Sequence, residues 1–252
     1  MIEKEILLEK LKKYGEWMYE FELMQDVTTK IISKEFQKVH ETRKKMIFSK
    51  LNSTIKKWND IRCLDIACNE GFYSFELAKK NVKEVIGFDV RKINIEKANF
   101  LKDFFQYKNI SFFVEDIEKI NSNNFEKFDL VFVLGLLYHV ENPMLILRKI
   151  REVTKGICII DTQINRFDSE VTTGFGCTGF DKKTKDVISI IEEKDINENI
   201  TASITGLSFI PNKSALYTML RHAGFTEIEQ IEPNVNSYEQ YISQDRIILM
   251  VK

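Results

Sequence analysis

Paired cysteines are missing from this 252-residue chain. Cys63, Cys68, Cys158 and Cys177 show no C-x-x-C spacing, which argues against a zinc ribbon or a disulfide-stapled scaffold. Cys63, Cys68 and Cys158 lie in or beside apolar runs, so buried free thiols in a reducing cytoplasm are expected. The only histidines, His40, His139 and His222, are scattered, and no metal is expected. No apolar run approaches the ~20 residues of a membrane span. The N-terminal MIEKEILLEKLKK is charged and lacks a signal-peptide core. Net positive charge is also absent: 37 basic against 38 acidic residues give −1. That disfavours a broad nucleic-acid surface, although Lys44, Lys45, Lys56 and Lys57 allow a local basic patch. With 44% hydrophobic and 30% charged residues, the composition is that of a soluble globular protein. The length suits one α/β domain with an appendage, or two small domains.

What is present is organised around residues 62–91, RCLDIACNEGFYSFELAKKNVKEVIGFDVR. The stretch reads as strand, tight turn, helix, strand. Leu64–Ala67 is a short apolar run interrupted by Asp65, Cys68–Gly71 is the turn, and Glu84–Phe88 runs to Asp89. In a parallel sheet, ligands bind beyond the carboxyl ends of the strands. Asp65, the turn and Asp89 are therefore expected on one rim. An acid roughly 20 residues beyond such a turn can take both hydroxyls of a ribose. The stretch thus points to a cofactor that contains a nucleoside.

The rest of the chain follows the same rhythm. Ile6, Leu7 and Leu11 mark a surface helix over residues 1–15. The aromatic run Trp17–Leu23 is either packing or a lid over a ligand. Residues 27–58 suggest two helices with an apolar seam at Ile47, Leu51 and Ile55. Helix 92–107 precedes a third strand, 110–114, which closes at Glu115 and Asp116. The uniformly apolar Leu130–Leu134 is expected as a strand covered on both faces. Asn142 and Pro143 cap a new helix, with Gly156 as its stop and 157–160 as a fifth strand ending at Asp161. Residues 162–210 break the pattern and are expected as an insertion above the carboxyl edge of the sheet. A helix from Pro211 to Gly224 leads to two final strands, 225–231 and 246–251, joined as an antiparallel pair.

Seven strands with acids at the ends of the first three resemble the class I S-adenosylmethionine (SAM) methyltransferases. The resemblance covers roughly residues 62–252 and rests on LDIACNEGFYS, VIGFDV, VEDI and FDLVFVLGLLYHVENP. It implies an α/β fold: a doubly wound, mostly parallel, Rossmann-like seven-stranded sheet with its last strand antiparallel. A helical extension or lid would occupy 1–58 and the methyltransferase domain 59–252. One departure stands out. The family loop D-x-G-x-G-x-G is here Asp65-x-Ala67-x-Asn69-x-Gly71. Alanine is the smallest replacement for glycine, and Asn tolerates left-handed backbone best after it, so the turn can still form. A dinucleotide-binding oxidoreductase, which needs the full G-x-G-x-x-G, is disfavoured.

A narrower resemblance is to the bacterial enzymes that carboxymethylate the wobble uridine of tRNA. It rests on W-x-x-x-F-x-L from Trp17, LGLLYH after the fourth strand, SFIP before the last long helix, and Arg246. Those enzymes hold the extra carboxylate of carboxy-SAM with a Tyr, an Arg and a Lys. Tyr138 and Arg246 match, but the position of the Lys falls on Tyr19. Losing one cation should weaken carboxylate recognition by ~1.5 kcal/mol or more, so ordinary SAM is expected and carboxy-SAM disfavoured. The same clade is similar to bacterial small-molecule and sugar O-methyltransferases. The leading expectation is therefore O-methylation of a small sugar-like or anionic metabolite in the cytoplasm, with a homodimer allowed. A tRNA-modifying transferase and a non-catalytic SAM-binding protein are the alternatives.

The resemblance also implies roles. Asp65 would reach the methionine amine, or else cap the turn; Ala67, Asn69 and Gly71 would shape the loop. Asp89, followed by Val90, would hold the ribose, and Asp116 with Ile117 the adenine. Leu134 and Tyr138 would line the methionine. His139 would serve as general base for a hydroxyl nucleophile, or cap a helix. Asp161 and Gln163 would face the acceptor, with Asp161 as a second candidate base. Arg246 would bind an anionic group or be an ordinary strand-end charge, and Trp17, Tyr19 and Tyr138 would wall the acceptor pocket.

Overall fold

The computed structural model describes residues 4–120, 125–173, 182–193 and 203–252. It comprises two compact units: residues 1–120 with 128–132, and residues 121–127 with 133–252. The boundary expected near residue 58 falls inside the first unit, where the N-terminal segment packs with the first strands.

The first unit begins with α1 (Lys4–Tyr14), a short antiparallel pair β1 (Glu22–Met24) and β2 (Val27–Thr28), and α2 (Lys34–Thr54). Where two helices were expected over 27–58, there is an arm of the β pair followed by a single 21-residue helix. Asp26 takes a left-handed φ of 61° and closes the turn between β1 and β2. The Thr29 hydroxyl accepts from Phe21 N–H and donates to Tyr19 O, fixing the chain that enters it. Ser33 caps α2 by accepting from Glu35 N–H. Of the expected seam, Ile47 and Leu51 are fully buried, whereas Ile55 lies beyond the helix as its C-cap. Then follow β3 (Arg62–Ile66), α3 (Phe72–Ala78), β4 (Glu84–Asp89), α4 (Lys92–Phe105), β5 (Ile110–Val114) and the larger part of β6 (Phe128–Leu134). Strands β3, β4 and β5 run parallel, with Asp65 opposite Gly87 and Asp89 opposite Val114. Their carboxyl ends therefore share one edge, as expected.

The second unit holds the end of β6, a 3-10 turn at Leu137–His139, α5 (Pro143–Val153), β7 (Thr154–Gln163), β8 (Val171–Thr173), β9 (Lys182–Thr184), β10 (Ile188–Glu192), β11 (Leu207–Pro211), α6 (Lys213–Ala223), β12 (Ile228–Ile231), α7 (Glu239–Ile242) and β13 (Arg246–Val251). Asn142 caps α5 through Leu145 N–H with Pro143 in the first turn, and Gly224 ends α6 with φ 102°. Gly156 is not the stop of α5. Thr154 is already extended, its hydroxyl bonds back to Ile150 O, and Gly156 lies inside β7. The segment 162–210 contains real ladders: β8 pairs with β9, and β10 pairs with β11 over five residues. The glycine-rich 174–179 and Cys177 lie outside the described residues.

The main sheet runs β12-β13-β7-β6-β3-β4-β5. β13 is antiparallel to both β12 and β7, so the expected fold class holds. Cys158, Ile159 and Ile160 of β7 and Leu130–Val133 of β6 are fully buried. Each large aliphatic side chain so covered contributes about 1.5–3 kcal/mol. Among the described residues no helix is long and apolar enough to cross a membrane, and no His/Cys/Asp/Glu group could hold a metal.

Candidate active site

In the first unit the loop after β3 resolves the glycine question. Ala67, Asn69 and Gly71 all have positive φ, at 55°, 52° and 82°. The alternating left-handed geometry of a glycine-rich turn is thus present with one glycine. Gly71 is required for space as well: a Cβ there would lie 2.5 Å from Cζ of Phe112. Asp65 is buried and accepts from the Ser74 hydroxyl at 2.7 Å. Burial pushes its pKa up to about 7, opposed by the Ser74 hydroxyl and N–H and assisted by the charge of Asp89. Asp89 accepts from Asn69 N–H (3.0 Å), Arg91 N–H (2.8 Å) and Asn94 Nδ2 (3.2 Å). Burial raises its pKa despite these donors. Asp116 caps the 3-10 turn Ile117–Lys119 through Glu118 N–H, while Ile117 is buried and Val90 exposed.

One residue of this loop gave no sequence signal. Glu70 is buried, and its carboxylate accepts from Met18 N–H, Tyr19 N–H and Lys97 Nζ at 3.0, 3.2 and 2.9 Å. Lys97 also donates to Glu16 O and lies 4.8 Å from the centre of the Trp17 ring. Trp17 is completely buried, and Tyr19 stacks on Phe72 at 4.8 Å and touches His40 at 4.2 Å. Packing, rather than an exposed lid, describes both aromatic side chains. His40 is likewise buried.

In the second unit five polar side chains converge where β7 and β13 pair. Asp161, 0% exposed, accepts from Arg246 Nη1 at 2.6 Å and from the Tyr241 hydroxyl at 2.7 Å. Arg246 also donates through Nη2 to the Tyr138 hydroxyl (3.1 Å) and through Nε to Gln240 (3.4 Å). Gly135, at the end of β6, has φ 82° and donates its N–H to Asp161 O. His139 lies against the Tyr138 ring at 4.1 Å, with Nδ1 3.5 Å from Glu193 Oε1.

A family profile described as a methyltransferase domain matches residues 57–224. The chain belongs to the methyltransferase-domain family. Curated relatives include a tRNA U34 carboxymethyltransferase of Nautilia profundicola, 29% identical over 206 residues, spanning 76% of this chain and 59% of that protein. That of Aliarcobacter butzleri is 27% identical over 178 residues, spanning 70% and 51%. The chain thus spans half to three-fifths of these relatives. Among solved structures, the N-terminal domain of EvdMO1, determined in the presence of SAH and D-fucose, superposes with a TM-score of 0.75 at 19% identity, covering all of this chain and 97% of that one. A SAM-dependent methyltransferase from Mesorhizobium loti gives 0.57 at 15% identity, covering 82% and 96%. This methyltransferase domain has the Rossmann-like class I fold, which it shares with the SAM-dependent methyltransferase from Mesorhizobium loti.

Within the methyltransferase domain, the residues singled out from the sequence fall into two groups. Asp65, Ala67, Asn69, Gly71, Asp89 and Val90 gather at the ends of β3 and β4, with Asp116 and Ile117 following β5. Leu134, Tyr138, His139, Asp161 and Arg246 gather in the second unit, and Gln163 pairs with Arg246 across the β7–β13 ladder. Glu193, which partners His139, was missed. It lies 54 residues away inside the insertion, with no motif to mark it.

Proposed function

We propose that this methyltransferase domain transfers the methyl group of ordinary SAM to a hydroxyl of a small, neutral, sugar-like acceptor. The observation that carries the proposal is the state of Arg246. Its positive charge is balanced by Asp161, and its donors are committed to Asp161, Tyr138 and Gln240. Little cationic capacity remains for an additional carboxylate, whether on the methyl donor or on the acceptor. The expected anionic class of acceptor is set aside for the same reason.

The residues of the loop fit SAM. The backbone at Gly71 is kept bare by Phe112, and Asp89 is oriented by neutral donors with lone pairs remaining for hydroxyls. Asp65 would meet the amine, Asp89 the ribose, Asp116 and Ile117 the adenine, and Leu134 the methionine chain. When bound, SAM supplies an electrophilic methyl group on a sulfonium. His139 would accept the acceptor hydroxyl proton as the oxygen gains the methyl group. Asp161 holds Arg246, which in turn donates to Tyr138, and, tied to Arg246 and Tyr241, is not the base in this scheme. Gln163 would contribute a hydrogen bond to an acceptor hydroxyl.

A second reading, modification of a tRNA wobble uridine, is favoured by the names of the curated relatives. Those names give no support to the expectation that a nucleic-acid partner is disfavoured. One experiment separates the two. The protein is incubated with SAM or carboxy-SAM and either a panel of neutral sugars or unmodified tRNA, and products are read by mass spectrometry. A gain of one methyl on a sugar, abolished by Asp89→Ala, is expected. Carboxymethylated tRNA, or at least tenfold tighter binding of carboxy-SAM than SAM, would overturn the proposal.

A further inference from the structure

His139 does not stand alone. Its Nδ1 is the nitrogen turned to Glu193, at 3.5 Å from Oε1, and the ring keeps 22% of its side-chain surface exposed. Glu193 is held from several directions. Its backbone N–H donates to Gly206 O at 2.7 Å, its Oε2 accepts from Ser203 N–H at 2.8 Å, and its Oε1 accepts from the Ser208 hydroxyl. Burial would raise the pKa of Glu193, but the Ser208 and Ser203 hydrogen bonds and the charge of His139 outweigh it and hold the group below the usual carboxylate range. A carboxylate fixed in this way remains an acceptor. The register of β10 with β11, Glu192 opposite Leu207 and Ile191 opposite Ser208, delivers Glu193 and Ser208 to one end of that ladder.

We infer that Glu193 is a positioning residue for His139: it holds the neutral ring with the proton on Nδ1, so that Nε2 carries the lone pair that takes the acceptor proton. This rests on His139 serving as base in hydroxyl methylation. Which nitrogen of a histidine is protonated is set by the hydrogen bond that the other makes. A carboxylate at Nδ1 selects the tautomer and steadies the cation formed after proton transfer, as carboxylates do behind catalytic histidines generally. The 3.5 Å separation is long for a hydrogen bond, and such contacts often tighten only when substrate is in place. The insertion 162–210 thereby gains a task within the chemistry, through β10 and β11.

The chain has only three histidines, so the tautomer is directly measurable. Long-range 1H–15N correlation spectra of 15N-histidine protein, without SAM or acceptor and at a pH where the rings are neutral, report it; H139Q assigns the signal. The wild type should show His139 protonated on Nδ1. E193A should lose that signature in favour of the Nε2–H form, and E193Q, whose amide oxygen can still accept, should keep it. A wild-type ring protonated on Nε2 would overturn the inference without any variant, which covers the case in which E193A does not fold. An unchanged tautomer in folded E193A would overturn it equally. Because neither donor nor acceptor is used, a failed acceptor panel beside the expected tautomer would refute hydroxyl methylation and leave the His139–Glu193 pairing supported.

Discussion

Replacing Ala67 with glycine should stabilise this protein, and replacing Asn69 with glycine should not. Both residues have left-handed φ, 55° and 52°, but they meet the cost differently. For an L-residue with an ordinary side chain that conformation costs roughly 1–2 kcal/mol. Asn escapes much of it because its short polar side chain tolerates the region. Glycine removes the cost entirely but frees the unfolded chain, which is worth about 0.4–1 kcal/mol in the other direction. For Ala67→Gly the balance is a gain of about 0.5–1 kcal/mol, less a few tenths for the half-buried methyl. For Asn69→Gly little strain is relieved, so the unfolded-state term leaves a loss of about 0.5 kcal/mol. A domain of this size shifts by roughly 2–4 °C per kcal/mol. The two variants should therefore move the melting temperature in opposite directions by about 1–3 °C, which calorimetry resolves. Ala67→Val, β-branched at positive φ, should fall well below both. A67G melting below wild type, or N69G above it, would refute the reasoning, since strain at Ala67 would then not be the difference between the sites. SAM affinity should stay within a few-fold in A67G, because the turn already has the shape that glycines would permit.

Asp65 predicts a pH dependence. Its folded pKa of about 7 stands above the unfolded value of about 3.9, so its contribution to stability is full below pH ~4 and is lost as the pH rises through ~7. Asp65→Asn, which has no proton to lose, should gain on wild type in melting temperature between pH ~5 and ~8; parallel curves would show that burial does not perturb Asp65. Arg246→Met should cost about 3–5 kcal/mol by leaving the Asp161 carboxylate buried without its cation, and R246M/D161N should recover most of that loss. A single variant within about 1 kcal/mol of wild type in chemical denaturation would mean that the pair is not the anchor described.

Much of this fold could be read from local signals. The apolar runs, the acid that ends β4, the Asn142–Pro143 start of α5 and the Gly224 stop of α6 each depend on residues within a turn or two. The failures were of two kinds. Short strands carry little periodicity: the aromatic run 17–23 gives no sign of β1, and β2 falls where a helix is expected; only the left-handed Asp26 betrays the turn, and Asp is not diagnostic of that conformation. Gly156 was taken for a helix stop, although β-branched Thr154 had already turned the chain extended. The other failures are long-range. Glu70 meets Met18 across 52 positions, and Asp161 meets Arg246 across 85. Asp161 and Arg246 were each singled out, but as independent candidates. Nothing in a sequence indicates that an acid and a base at such separation will neutralise one another.

The buried acids divide by the chemistry of their partners. Glu70 and Asp161 each touch a cation, Lys97 or Arg246. Asp65 and Asp89 are held through hydrogen bonds from a hydroxyl, backbone N–H groups and an amide. Burying a carboxylate is costly unless something offsets the lost water, and neutral donors offset less than a cation does. Burial raises the pKa values of Asp65 and Asp89, and it raises that of Glu70 as well, despite the contact with Lys97. A site arranged in this way retains unspent attraction for positive charge and for hydroxyl donors. SAM carries both, with its sulfonium, its ammonium and its ribose diol. An additional carboxylate on the donor would bring a negative charge to a rim that already holds Asp65 and Asp89. Glu70 and Asp161 are each closed by a cation, whereas Asp65 and Asp89 accept hydrogen bonds from uncharged donors.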